Sequence, residues 1–167
     1  LTFWSRGHAL NSELTSGEAE AQGLTTLLWF KRNAIPADWF SLSDSAGRST
    51  LFSSGSLEQP SFKLQFGDGS AATIAGTSWL PFNEWVQLAL TWESSTGRLL
   101  LYRNGVLESV ATGGLGQSLR ASPLDAAQFG ARTSFDKQFG DVQIFNRALT
   151  QLEISGLLRA NATGVCR

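Results

Sequence analysis

The chain has 167 residues, room for one domain with a sizeable core. A formal net charge of -1, with only 16% charged residues, leaves no basic field to attract nucleic acid. No apolar run reaches membrane-spanning length, so no membrane insertion is expected.

Leu1 to Trp4 reads as an edge strand, and Asn11 to Gln22, polar and acidic, as a loop. Leu24 to Lys31 is strongly β-prone and reads as a central strand. Pro36 blocks continuation through Asn33 to Asp38. Trp39 to Ser43 and Ser49 to Ser53 are short strands around a turn at Asp44 to Gly47. Pro60 opens the next strand, in which Phe62, Leu64 and Phe66 share a face. Asp68-Gly69 signals a hairpin into Ala71 to Ala75.

The richest segment runs from Trp85 to Leu107. Val86, Leu88, Leu90 and Trp92 alternate with Gln87, Ala89, Thr91 and Glu93, which predicts a strand with one greasy face. Ser94 to Gly97 reverses the chain, and Arg98 to Tyr102 returns. Asn104-Gly105 then suits a tight hairpin, because both central residues need positive φ. Val106 to Ala111 follows, then a glycine-rich loop at Gly113 to Gly116, and strands at Ala126 to Gly130 and Gly140 to Phe145.

One helix is predicted near the end. Thr150 and Glu153 form a capping box, with Leu149 and Ile154 placed as a hydrophobic staple, and the helix is expected to stop near Leu158. Turns every 8–12 residues fit an all-β sandwich. No repeat or linker divides the chain, so residues 1–167 form a single domain.

Trp85, Thr91-Trp92, Ser94 to Gly97, Tyr102 and Asn104-Gly105 resemble the central hairpin of laminin-G-like and pentraxin-like domains. Phe139 to Ile154 is similar to the closing strand and terminal helix of that family, and Thr26 to Lys31 is a weaker match. The resemblance implies a concanavalin A-like jelly roll of two antiparallel sheets with a short C-terminal helix. By this matching, the cysteines of the pentraxin disulfide fall on Trp29 and Ala89, a large residue facing a small one. The two halves of the pentraxin calcium site fall near Ser49-Thr50 and Arg132-Thr133-Ser134, which lack the carboxylates that calcium needs. No metal is therefore expected there. Asp68 or Asp136 remains available for a single laminin-G-type Ca2+, against a plain role in turns.

Catalytic constellations are thin. His8 is the only histidine, and no Gly-x-Ser-x-Gly elbow occurs. Glycosidases of this fold carry Glu-x-Asp-x-Glu on one strand. Here the nearest approach is Glu18-Ala-Glu20 in a polar loop. The expectation is no enzyme, with no catalytic residues.

Six tryptophans are present. Trp29, Trp85 and Trp92 read as packing, and Trp4 as ambiguous. Trp39 and Trp79, beside turns, are the ligand-stacking candidates, with Arg48 and Arg132 as charged contacts. Asn161-Ala162-Thr163 is a sequon, and the lone Cys166 is either free or paired with a cysteine outside this segment.

Leu1 is not an initiator methionine and Met is absent, so a processed piece of a larger secreted or cell-surface protein is expected, adjoining other domains of the same chain. The expected function is non-catalytic recognition of a glycan or an extracellular protein. The alternatives are structural assembly of a surface or matrix polymer, and a glycan hydrolase or lyase.

Overall fold

The computed structural model describes residues 22–32, 40–43, 48–53, 59–120, 126–129 and 137–162. Among the described residues, ten strands precede one helix: β1 (Gly23–Arg32), β2 (Phe40–Ser43), β3 (Ser49–Ser53), β4 (Ser61–Gln65), β5 (Ala71–Ala75), β6 (Trp85–Glu93), β7 (Arg98–Arg103), β8 (Val106–Thr112), β9 (Ala126–Phe129), β10 (Lys137–Phe145) and α1 (Gln151–Ala162). They form two five-stranded sheets, ordered β10-β1-β6-β7-β8 and β5-β4-β3-β2-β9. All pairings are antiparallel. This is the expected two-sheet sandwich, with β1 central as its β-branched and aromatic content predicted.

The inner faces interdigitate. Leu28 and Phe30 of β1, Leu88, Leu90 and Trp92 of β6, and Leu99 and Leu101 of β7 meet Leu42, Leu51, Phe62, Leu64, Phe66 and Ile74 of the other sheet. Each such side chain, fully withdrawn from water, contributes roughly 1.5–3 kcal/mol.

Local chemistry sets the turns. Asn104 (φ 49°) and Gly105 (φ 75°) both adopt the left-handed conformation that a tight hairpin demands. At the β4–β5 turn, Asp68 Oδ1 accepts from the Ser70 amide at 2.8 Å and from its hydroxyl at 2.6 Å. Before α1, the Thr150 amide donates to Glu153 Oε2 at 2.8 Å and the Glu153 amide donates to Thr150 Oγ1 at 3.3 Å, completing the capping box.

Several expectations need correction. β6 is buried on both faces, since Gln87, Ala89 and Thr91 are as inaccessible as their neighbours. A second apolar cluster explains this: Leu27, Ala89 and Tyr102 on the outer face of the first sheet pack with Leu149 and Ile154 from the helix region. Trp29 does not face Ala89. The β1–β6 register sets Leu27 opposite Ala89 and Trp29 opposite Gln87. The helix runs to Ala162 rather than Leu158, because Leu158, Arg159 and Ala160 are good helix formers and no breaker intervenes. β10 begins at Lys137, ahead of the expected Gly140. The expected strand at Leu1 to Trp4 lies outside the described residues.

Candidate functional site

Antiparallel pairing makes successive connections alternate between the two ends of the sandwich. The strand termini Arg32 and Phe40, Ser53 and Ser61, Ala75 and Trp85, Arg103 and Val106, and Phe129 and Lys137 share one end. The β5–β6 connection, residues 76–84, belongs to this end and carries Trp79. Arg48 and Asp68 belong to the opposite end, beside β3 and between β4 and β5. The fold therefore does not bring Arg48 to Trp79. The termini bracketing Trp39, Arg132 and Asp136 lie at the Trp79 end, but those three residues lie outside the described residues. So do His8 and Cys166, while Asn161 falls in the last turn of α1.

The connection through Trp79 is held by charge-assisted bonds. Glu108 Oε1 accepts from the Thr77 and Ser78 amides, each at 3.0 Å, and from the Ser78 hydroxyl at 2.8 Å. Arg103 donates through Nε to Glu108 Oε2 and through Nη2 to Oε1, both at 3.0 Å. Its Nη1 donates to the Trp79 carbonyl and its Nη2 to the Ser78 carbonyl, both at 2.7 Å. The Gly76 amide donates to the Pro60 carbonyl at 2.7 Å, and Gln59 Nε2 donates to the Thr77 carbonyl at 3.3 Å. Leu80 is buried and pins the middle of the loop.

Two aromatic side chains stand outside this framework: Trp79 and Phe82 are each 63% exposed. Exposed rings normally cost binding entropy when they are immobilised. Here the backbone that carries Trp79 is already fixed by Glu108 and Arg103, which lowers that cost at this residue.

Burial raises the Glu108 carboxyl, but the bonds from Ser78 and from Arg103 outweigh it and hold the group below its ordinary range. The brace is therefore charged at neutral pH. Its side chains are 16% (Arg103) and 7% (Glu108) exposed, so water does little to screen the pair.

Glu108 reaches the loop from a β-bulge. The β7–β8 register pairs Leu101 with Ser109 and Tyr102 with Leu107, leaving Glu108 between them. Phe82, Arg103 and Glu108 were missed in the sequence. The one signal for Arg103 and Glu108 was their opposite charges, five positions apart across the tight hairpin at Asn104-Gly105; Phe82 had none.

The other described tryptophans pack. Trp92 is completely buried, while Trp29 and Trp85 are half-buried around Gly140. There a Cβ would come within 2.8 Å of the Trp29 Cβ. At the matched pentraxin metal position, Thr50 is buried within β3. Asp68 is bound up with Ser70, whose hydroxyl and amide lower its carboxyl. Among the described residues, no group of three or more His, Cys, Asp or Glu converges. The other half of the matched position, Arg132-Thr133-Ser134, lies outside the described residues, as does Asp136.

A family model described as the concanavalin A-like lectin/glucanases superfamily matches residues 7–155. No curated protein matches the sequence. Among solved structures, the botulinum neurotoxin serotype G binding domain is similar at a TM-score of 0.69 and 15% identity, over 85% of this chain and 37% of that one. The serotype D ligand binding domain, solved with N-acetylneuraminic acid, gives 0.66 and 16%, over 87% of this chain and 38% of that one. The native heptameric SAP-like pentraxin of Limulus polyphemus gives 0.59 and 18%, over 83% and 70%. The chain spans well under half of either toxin domain, and at these identities the likeness is one of fold.

Proposed function

Because the chain belongs to the concanavalin A-like lectin/glucanases superfamily, we propose that it is a non-catalytic recognition module that binds a glycan or a protein outside the cell or at its surface. The observation that carries this reading is the braced loop presenting Trp79 and Phe82. Aromatic faces stack on the apolar faces of sugars, and they anchor protein interfaces equally well.

Three of the described carboxylates are committed to structural bonds rather than poised for acid catalysis. A glycosidase needs one carboxyl held neutral at working pH by a raised pKa. Asp68, Glu108 and Glu153 are all shifted the other way. Each also has a structural bond: to Ser70, to Arg103 and to Thr150.

The toxin domains support the binding class by analogy, one having been solved with N-acetylneuraminic acid and another with rat synaptotagmin II. A second reading, assembly with another protein, is favoured by the edge strand β8. There Val106 is 64% and Val110 52% exposed.

Binding and turnover should be measured together on a broad panel of polysaccharides. Retention that Trp79→Ala abolishes, without release of reducing ends, supports the proposal. Sustained turnover by the purified chain would sink it.

A further inference from the structure

We infer that β8 takes a second copy of this chain, strand to strand and antiparallel, across a two-fold axis that passes between Glu108 and Ser109. This rests on the assembly reading of β8 above and adds the identity of the partner.

Among the described strands, β8 bonds to β7 alone, so one flank of its backbone has no sheet neighbour there. Its side chains do not guard that flank. Val106–Thr112 reads Val-Leu-Glu-Ser-Val-Ala-Thr, and the one charge, Glu108, is tied to Arg103 of its own chain. Two other edge strands differ. β10 carries Lys137 and Asp141, while β5 exposes only the small side chains of Ala71, Thr73 and Ala75.

The bulge at Glu108 decides the register. Leu107 and Val110 are three residues apart, and in a regular strand they would point to opposite faces. Leu107 pairs with Tyr102 and Val110 with Leu100, both of which pack on the outer face. Ser109 and Ala111 pair instead with Leu101 and Leu99 of the core. The extra residue therefore puts Leu107 and Val110 on one face, where they are 40% and 52% exposed.

The strand is thereby self-complementary. The two-fold axis sets Leu107 opposite Val110 of the second copy, and Val110 opposite its Leu107. Val106, whose partner Arg103 pairs with Leu88 of the core, meets Ala111 of the second copy on the inner side. Both pairings match faces, and a slip of one residue would break both. The two Glu108 carboxylates do not meet as free charges, since each is bonded to Thr77, Ser78 and Arg103 of its own chain.

The helix widens the seam. Gln151 Nε2 and Ser155 Oγ donate to the Gly105 carbonyl at 3.5 and 3.3 Å, so α1 runs beside the start of β8. Leu152, exposed in the same turn, adds apolar surface on the outer side. A strand of 7 residues is still a small contact beside the roughly 20–30 residues a side of a standard interface. The dimer should therefore dissociate in the micromolar range.

The test is sedimentation equilibrium of the whole chain from about 1 to about 300 µM, with thermal melts to confirm folding. Val110→Lys places a charge at the seam. Leu115→Lys places one on an exposed residue of the loop after β8. In a Cys166→Ser background, Leu107→Cys and Val110→Cys are oxidised separately and as a mixture.

Wild type and Leu115→Lys should dimerise equally, and Val110→Lys should weaken the dimer by about tenfold or more. The mixed cysteine variants should join as a disulfide dimer, and neither should do so alone. A monomer at every concentration would overturn the inference and leave a different protein as the partner of β8. Joining of either cysteine variant alone as readily as the mixture would overturn the register. A dimer that Val110→Lys leaves untouched, and in which the mixed cysteines do not join, would overturn the inference and the assembly reading together.

Discussion

The Trp92 indole N–H donates to the Gly113 carbonyl at 3.1 Å, tying the core of one sheet to the loop that leaves β8. The Trp92 ring also lies 5.3 Å from the Phe66 ring of the facing sheet, centroid to centroid. This contact requires the loop to pass close over Phe66. Gly114 has φ 67°, and a Cβ there would sit 2.3 Å from the Phe66 ring. Gly116 has φ 68° but nothing within 4 Å of its Cβ position. Gly114→Ala should therefore cost about 3 kcal/mol, backbone strain plus overpacking, against about 1 kcal/mol for Gly116→Ala from strain alone. Urea unfolding of both variants checks the difference. Equal losses would mean that the Phe66 contact is immaterial.

The brace under Trp79 predicts non-additive mutations. Arg103→Met strips the partner from a carboxylate that is only 7% exposed. It should lower stability by about 2 kcal/mol. Removing both charges, Arg103→Met with Glu108→Leu, should recover part of that loss, since no buried charge is then left alone. A double-mutant cycle by thermal unfolding measures the coupling. Simple additivity would show that the two side chains do not act as a unit.

How far these features could be read in advance depended on sequence distance. The hairpin at Asn104-Gly105 and the capping box at Thr150 were legible because their demands are local: positive φ in one case, orphan amides in the other. The alternation in β6 was also legible, but it suggested one buried face. The cover on the other face comes from Leu149 and Ile154, far downstream, so no periodicity within the strand could reveal it. Trp79 was singled out for its place in the loop from Gly76 to Pro81. Its rigidity was hidden, because the side chains that fix it belong to β7 and β8. The register error at Trp29 arose from carrying a pairing across by resemblance, where only the cross-strand hydrogen bonds decide.

The helix cap gives a pH dependence of definite sign. Bonds from Arg147 and then from Thr150 lower the Glu153 carboxyl from 4.5 to about 2. A depressed carboxylate stabilises the fold fully above its unfolded value, and that contribution fades as pH falls through the folded one. Wild type should therefore lose stability between pH 4.5 and about 2, and Glu153→Gln should flatten that part of the curve. The group is exposed, so added salt should shrink the difference. Thr150→Ala should cost about 1 kcal/mol at neutral pH through loss of the cap. Melting curves across this range, with identical slopes for Glu153→Gln and wild type, would exclude the mechanism.

Calcium removal makes a separate check. Among the described residues no three His, Cys, Asp or Glu side chains converge, so chelation should leave the melting midpoint where it is. A midpoint that falls with chelator and returns with added calcium would assign a resident ion.

The packing of α1 against the outer face of the first sheet sets a minimum length for autonomous folding. A fragment ending at Phe145 would keep all ten strands, yet lay bare Leu27, Ala89 and Tyr102 along the middle of that sheet. Such a fragment should self-associate, whereas one ending after Ala162 should stay monodisperse. In this fold the last dozen described residues act as a cover fastened over one outer face of the sandwich, and expression boundaries drawn by counting strands alone would leave it off.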